Sequence, residues 1–381
     1  MDPGNELEQR NRHFDALASR SDLMWLGQNT NHFEPCPAVR QAMIDCIDAG
    51  ECHRYAPPLG VEELRGAILE DLGLDRDFSV MVTDGAIEGL YHACHTLLGQ
   101  DDEFIVTDPG WLWPRRFAAS RKARVVELPI YDRDAGFRLK PSQLREAMTE
   151  RTRLIYLVDP NNPMGSIQTS VEIEEIASIA RDAGAFLIHD CTYRDFAEGH
   201  TLAARHYPKG TITTYSFSKW LGLAGLRLGA VVASPETIDL LAAAPPNNLG
   251  SSFIAQRAAL AGLRHKAEWF PGVQDRQRAN QTSIKQMIDD LEGPETTVFP
   301  SHGNFLAIDT CKAGIAPASL CAFYLERDIL IRHGGYHSIR CGGRFVKVST
   351  TVPSEWINAF CSQFEEAIEW SRSAPVVQAL Y

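Results

Sequence analysis

The sequence predicts an α/β fold, a mainly parallel sheet covered by helices on both faces, with a smaller α+β unit attached. Three observations carry this. Short apolar runs alternate with amphipathic helical segments through the middle of the 381 residues, as parallel βαβ units require. The runs are buried-strand in character, which suits a sheet covered on both faces. After about Leu263 the composition shifts to a long polar-faced helical stretch and then isolated strands, which marks a second unit.

The elements follow in order. SVMV is a short strand, and TDGAIEGL (Thr83 to Leu90) turns from it into a helix running through His95. EFIVTD is the next strand and leads into DPGWLWP. RLIYLVD (Arg153 to Asp159) is a buried strand followed by the loop DPNNPMGS. Thr169 and Glu172 then form a capping box. Ile173, Ile176, Ala177 and Ala180 fall on one helical face, and Gly184 closes that helix. AFLIHD, TITTYSF and LGAVVAS are three more strands. In such sheets a ligand lies outside the carboxyl ends of the strands. Beyond Leu263, His265 to Leu291 reads as one long helix, VFPSHGNFLAID and RFVKVSTT as strands, and Glu355 to Ser371 as a closing helix. The expected division is a large domain over 48–263 and a small domain built from 1–47 and 264–381.

Composition narrows the function. Hydrophobic residues make up 44%, enough for a real core, and the net charge of -12 with no basic patch argues against nucleic acid. The N-terminal MDPGNELEQRNRHFD lacks the apolar stretch of a signal peptide. No apolar run nears the roughly 20 residues a bilayer span needs. The nine cysteines are scattered, with no C-x-x-C pair. A metal site or a disulfide framework is therefore not expected, and a cytoplasmic location is.

Five stretches hold residues suited to chemistry. In SFSKWLGLAGLRLG, Lys219 follows a strand and precedes a Gly-rich turn that lets backbone approach a ligand. A lone lysine is ordinarily a surface residue. Here Ser216 and Ser218 offer hydroxyls to an anion, and Arg227 offers a bidentate fork for phosphate. An amine beside such a cation can be deprotonated enough to attack a carbonyl. Asp190 ends the run AFLIH, and Tyr193 follows three residues later. A carboxylate and a phenol so spaced can hold two sides of a pyridine ring, although a turn Asp has the same look. Asn162, in DPNNPMG, lies after a strand at the same sheet edge, in a motif that a plain turn also explains. Gly85, Ala86 and Ile87 place backbone N–H groups at a helix start, where anions bind. Trp111 adds an aromatic face after EFIVTD.

Taken in order, N-N-P-x-G, D-x-x-Y and S-x-S-K with an arginine eight residues on make the chain resemble the fold-type I pyridoxal-phosphate enzymes of aminotransferase class I/II. The branch it resembles most holds histidinol-phosphate aminotransferase and threonine-phosphate decarboxylase. The resemblance runs from about Leu26 to Ser349. It implies a mainly parallel seven-stranded sheet between helices in the large domain and pyridoxal 5'-phosphate as cofactor. Lys219 would then be the Schiff-base lysine and Asp190 the partner of the ring nitrogen. Tyr193 and Asn162 would meet the ring oxygen, and Trp111 would stack on the ring. Arg227, Ser216, Ser218 and the Gly85, Ala86 and Ile87 backbone would hold the phosphate. Tyr55, in RYAPPLG, matches a tyrosine that reaches the neighbouring subunit's phosphate, which implies a homodimer with shared sites.

One position departs from that pattern. Where most members carry an arginine for the substrate carboxylate, RFVKVSTT has Lys347, and Arg344 stands three residues earlier. The two residue types are not interchangeable at a bidentate site. Either Lys347 or Arg344 binds the carboxylate, with Gly27 beside them, or the substrate is held differently. The expected activity is transamination of an amino acid or a derivative. The alternatives are decarboxylation or β/γ-elimination and replacement on the same scaffold, and a non-catalytic ligand-binding protein. His53, Trp113, Trp220, His333 and Tyr336 are further residues that can line the substrate pocket.

Overall fold

In the computed structural model, residues 3–243 and 249–373 are described. After a two-residue strand β1 (Met24–Trp25), seven strands build one sheet: β2 (Ser79–Thr83), β3 (Glu103–Asp108), β4 (Arg124–Pro129), β5 (Thr152–Val158), β6 (Phe186–Asp190), β7 (Thr211–Ser216) and β8 (Gly229–Ala233). Their order is β2-β8-β7-β6-β5-β3-β4. Alternation along β5 shows why the sheet is covered twice. Leu154 and Tyr156 join a core with Leu90 and Ala93 of the helix Ala86–Leu97, while Ile155 and Leu157 join another with Ile173, Ile176 and Ala177 of the helix Ser170–Asp182. The Thr169–Glu172 capping box starts that second helix, and Gly184 follows it at φ +66°.

One strand runs against the others. β8 pairs antiparallel with both β7 and β2, although LGAVVAS reads like the parallel runs around it. The reason is the connection. Between Ser216 and Gly229 the chain has a single short 3-10 turn, Ala224–Leu226, and a parallel return needs a longer crossover, usually a helix. The antiparallel return brings the start of β8 beside the end of β7, so Ser216 pairs with Gly229.

The second sheet has four strands in the order β12-β13-β10-β9, with β9 (Glu295–Thr296), β10 (Phe305–Asp309), β12 (Arg332–His333) and β13 (Phe345–Ser349); β11 (Ile329–Leu330) pairs with β1 instead. Only the second half of VFPSHGNFLAID is strand. Pro300 cannot donate to a ladder, and Ser301 and Gly303 turn the chain before Phe305. The long helix spans Lys266–Asp289, and the closing segment is two helices, Ser354–Ser362 and Phe364–Ser373. Leu306, Ile308, Val346 and Val348 pack with Ile284, Ile288, Phe360 and Phe364. By alternation, Lys347 points out of the opposite face of this sheet, where Ala307 and Phe345 pack on the larger unit's core. No helix among the described residues is long and apolar enough to cross a membrane.

Candidate active site

A cavity of about 330 Å³ lies where the carboxyl ends of β5, β6 and β7 meet the second sheet. Strand direction explains its lining. Val158 and Asp190 end β5 and β6 in register, Ser216 ends β7, and Thr83 ends β2 opposite Gly229. The next residues of each loop therefore share one edge. Asn162, Asp190, Tyr193, Ser216, Ser218, Lys219, Arg227, Trp111, Ala86, Ile87, Gly27 and Lys347 all line the cavity.

Asp190 is buried, and both of its oxygens accept hydrogen bonds. Oδ2 accepts from Tyr156 Oη at 2.7 Å; Oδ1 accepts from Thr192 Oγ1 at 2.7 Å, Thr214 Oγ1 at 2.8 Å and Thr192 N at 3.2 Å. Donors of this kind fix the orientation of the carboxylate. Tyr193 Oη accepts from Asn29 Nδ2 at 3.0 Å, so its own proton is free to be donated elsewhere. Burial raises the Tyr193 phenol above its ordinary value, against the Asn29 bond. It therefore stays a donor at any physiological pH.

The anion end is built around one glycine. Gly85 has φ +82°, and a Cβ there would stand 2.5 Å from an Arg227 guanidinium nitrogen. Any side chain there would push the guanidinium aside, and the backbone at φ +82° strains every residue but glycine. Gly85 differs from the expected role in one respect: its N–H donates to Thr83 O at 2.8 Å, so it is not an open amide for a phosphate. Gly85 makes space instead, and the helix begins at Ala86, whose first-turn amides lack carbonyl partners within the helix. Ser216 and Ser218 are buried beside it.

Two lysines share the cavity. Lys219 Nζ donates to Gln28 O at 3.3 Å. Burial, and then the Arg227 guanidinium, push its ammonium down to about 8. Lys347, only 3% exposed, donates from Nζ to Asn162 Oδ1 at 3.0 Å. Burial first, then Arg332 and Lys219, hold it well below the ordinary lysine value. Arg332 lies beside it on the neighbouring strand, in register with Lys347, and donates to Gly27 O at 3.2 Å. Gly27 lets the backbone come close: a Cβ would meet Leu330 and Ile331 backbone at 3.2 Å.

Other expected residues lie elsewhere. Arg344 does not line the cavity. It sits before β13, over the Tyr131 ring at 4.5 Å and 3.7 Å from Asp309. Tyr55 is 78% exposed and outside the cavity of its own chain. Of the five further pocket candidates only Tyr336 lines the cavity; Trp220, for example, is fully buried in the core with Phe217 and Leu221. Sequence reasoning missed Tyr156, Thr192, Thr214, Asn29, Arg332 and His337. Tyr156 had a signal, as a phenol two residues before the end of a buried strand. Asn29 and Arg332 had none, because their partners lie far away in sequence.

The chain is similar to known proteins over nearly its whole length. The family model for aminotransferase class I and II matches residues 21–364. An aspartate aminotransferase of Pyrococcus horikoshii is 28% identical over 93% of this chain and 93% of its own length. A histidinol-phosphate aminotransferase of Methanocaldococcus jannaschii is 26% identical over 96% of this chain and 94% of its own. Among solved structures, the Thermus thermophilus aspartate aminotransferase with maleate superposes with a TM-score of 0.84 at 23% identity, covering 96% of this chain and 97% of that one.

Proposed function

Because the chain belongs to the aminotransferase class I and II family, we propose that it transfers an amino group from an amino acid to a 2-oxo acid, using pyridoxal phosphate held at Lys219. The observation that carries this reading is the meeting, at one sheet edge, of a buried amine, a buried carboxylate and an arginine seated over Gly85. Among the described residues lining the cavity, Asp190 is the sole carboxylate, against Lys219, Arg227, Arg332 and Lys347. Such a balance favours an anionic cofactor and an anionic substrate.

The residues fit the group. Arg227, the hydroxyls of Ser216 and Ser218 and the first-turn amides at Ala86 and Ile87 would hold its phosphate. Asp190 would keep a proton on the ring nitrogen, Tyr193 would donate to the ring oxygen, and Trp111 would cover one ring face. Asn162 Oδ1 is occupied by Lys347, which leaves the amide Nδ2 as the group for the ring oxygen. When bound, pyridoxal phosphate supplies an electron sink for charge developing at the substrate Cα. Lys219, whose ammonium is pushed down to about 8 and so gives up its proton more readily than an ordinary lysine, is the base that removes the Cα proton and carries it onward. Purified holoenzyme supplied with single amino acids and 2-oxoglutarate should release the matching 2-oxo acid. Carbon dioxide release without any 2-oxo acid would overturn transamination in favour of decarboxylation.

Lys347 is proposed to bind the substrate carboxylate as a point charge. Lys347→Ala should lower kcat/KM by about 2 kcal/mol, mainly through KM. This is the low end for a buried charged contact, because burial, Arg332 and Lys219 oppose a charge on Lys347. Arg344→Ala, over the Tyr131 ring and outside the cavity, should change kcat/KM by no more than about twofold. A larger loss from Arg344 would place the carboxylate elsewhere.

We further propose a cytoplasmic homodimer in which Tyr55 reaches the partner's phosphate site. Lys219→Ala and Tyr55→Ala chains, each inactive alone, should regain activity when mixed and allowed to exchange subunits. Failure to recover after proven exchange would remove the shared site.

A further inference from the structure

Three consecutive residues of the segment after β1 each meet a side chain of the cavity. Gly27 O accepts from Arg332 Nε at 3.2 Å, Gln28 O accepts from Lys219 Nζ at 3.3 Å, and Asn29 Nδ2 donates to Tyr193 Oη at 3.0 Å. The first two contacts use backbone oxygens, which any residue type supplies. The third uses a side chain, so there the residue type matters. Asn29 is 2% exposed, and its backbone is tied to the smaller unit. Its N–H donates to Ser349 Oγ at 2.8 Å, and its O accepts from Asn304 Nδ2 at 3.0 Å. Its φ is +53°, a left-handed conformation that Asn and Asp tolerate better than other side chains do. The Tyr193 ring is held from the same unit, with Phe305 edge-on to it at 5.2 Å and 86°. The phenol that follows β6 is therefore aimed by residues of the second sheet and its neighbours.

The direction of the protons decides what this contact does. A phenol has one proton to give, and its oxygen can also accept. A cofactor ring oxygen that carries negative charge can only accept, so Tyr193 serves it by giving that proton. The amide N–H of Asn29 then fills the acceptor side of the same hydroxyl. It fixes the hydroxyl's rotation and polarises it toward donation. The reverse setting of the amide, with Oδ1 toward the phenol, would draw the proton away from the cofactor. The two settings predict pH shifts of opposite sign.

We propose that Asn29 is a positioning residue, whose amide N–H holds the Tyr193 hydroxyl so that the phenol proton is delivered to the ring oxygen of pyridoxal phosphate. The inference rests on the reading of this cavity as a pyridoxal-phosphate site. It makes the smaller unit, through Ser349, Asn304 and Asn29, part of what tunes the cofactor in the larger one.

The test uses the holoenzyme and follows the pH at which the visible band of the bound cofactor changes, with thermal melting of the apoprotein in parallel. A donor to the ring oxygen favours the form that has lost its proton and carries charge there, so weaker donation raises the midpoint. Asn29→Gly accepts the same φ without strain and removes the amide. Its midpoint should rise by about one pH unit. Asn29→Asp keeps the size and the backbone conformation, and its carboxylate can only accept, so the midpoint should rise further. In a Tyr193→Phe background, Asn29→Gly should move the midpoint by no more than about 0.2 pH units, because a residue that acts through the phenol has nothing left to act on. A merely structural role predicts a lower melting temperature with the midpoint unmoved, or the same shift in both backgrounds, and either result overturns the proposal. A fall of the midpoint in Asn29→Gly also overturns it, since the amide would then be taking the phenol proton. Should Asn29→Gly not fold, a midpoint in Asn29→Asp no higher than the wild type's overturns it equally. A protein that takes up no pyridoxal phosphate overturns the cofactor reading and this inference with it. Midpoints that move as expected in an enzyme releasing carbon dioxide and no 2-oxo acid overturn transamination alone and leave the role of Asn29 standing.

Discussion

Lys219→Ala is expected to lower amino-group transfer by roughly 10⁴-fold, the full range of a positioned acid–base group. The fold should persist, since the amine makes one weak hydrogen bond, to Gln28 O at 3.3 Å. Cofactor affinity should fall but not vanish, because Arg227, Ser216 and Ser218 are untouched. Two lysines line the cavity, so the assignment needs a chemical check. Borohydride reduction of the holoenzyme followed by peptide mapping should put the label on Lys219. A label on Lys347 would reverse their roles. The wild-type apoprotein should also capture pyridoxal phosphate faster as pH rises through about 8, where Lys219 loses its proton. An ordinary lysine would show that rise only near ~10.4. Arg227→Ala removes the second cause of the depression and should move the rise to higher pH.

Asp190→Ala should cost roughly 10²–10³-fold in turnover, as loss of a preorganised charge at a reacting centre does. The visible band of the bound cofactor should report an unprotonated ring across the neutral range. Tyr156, Thr192 and Thr214 would be left with unused donors, so the melting temperature is expected to fall as well. Near-normal turnover with cofactor bound would make Asp190 a structural residue that merely anchors those three hydroxyls. Asp190→Asn separates the effects: it keeps the shape and most of the hydrogen bonds but cannot hold a proton on the ring nitrogen.

Much of this site was legible in the chain because of where its residues fall along strands. Asn162, Asp190, Ser216 and Lys219 each stand at or just past the end of a buried apolar run, and parallel strands collect such ends at one edge. Arg227 was legible by its spacing from Lys219, but its location depends on β8 running antiparallel. That direction is a matter of connection length and does not show in the apolar pattern of LGAVVAS. Gly85 was read as a phosphate amide, and packing gives it a different task. With φ +82° and Arg227 lying where a side chain would be, it is the space the guanidinium needs.

What the sequence determined by itself is the large sheet, the set of residues at its carboxyl edge and the departure at Lys347. What only the tertiary structure decided is the side of the cavity that the second sheet closes. Asn29 meets Tyr193 across 164 residues of chain, and Lys347 meets Asn162 across 185. No local pattern encodes such pairs. The choice between Lys347 and Arg344 turned on which face of β13 meets the larger unit. Val346 and Val348 are drawn into the smaller core, so Lys347 between them must point the other way, into the cavity. His337 enters the cavity wall through a contact with Gly110, 227 residues away in the chain.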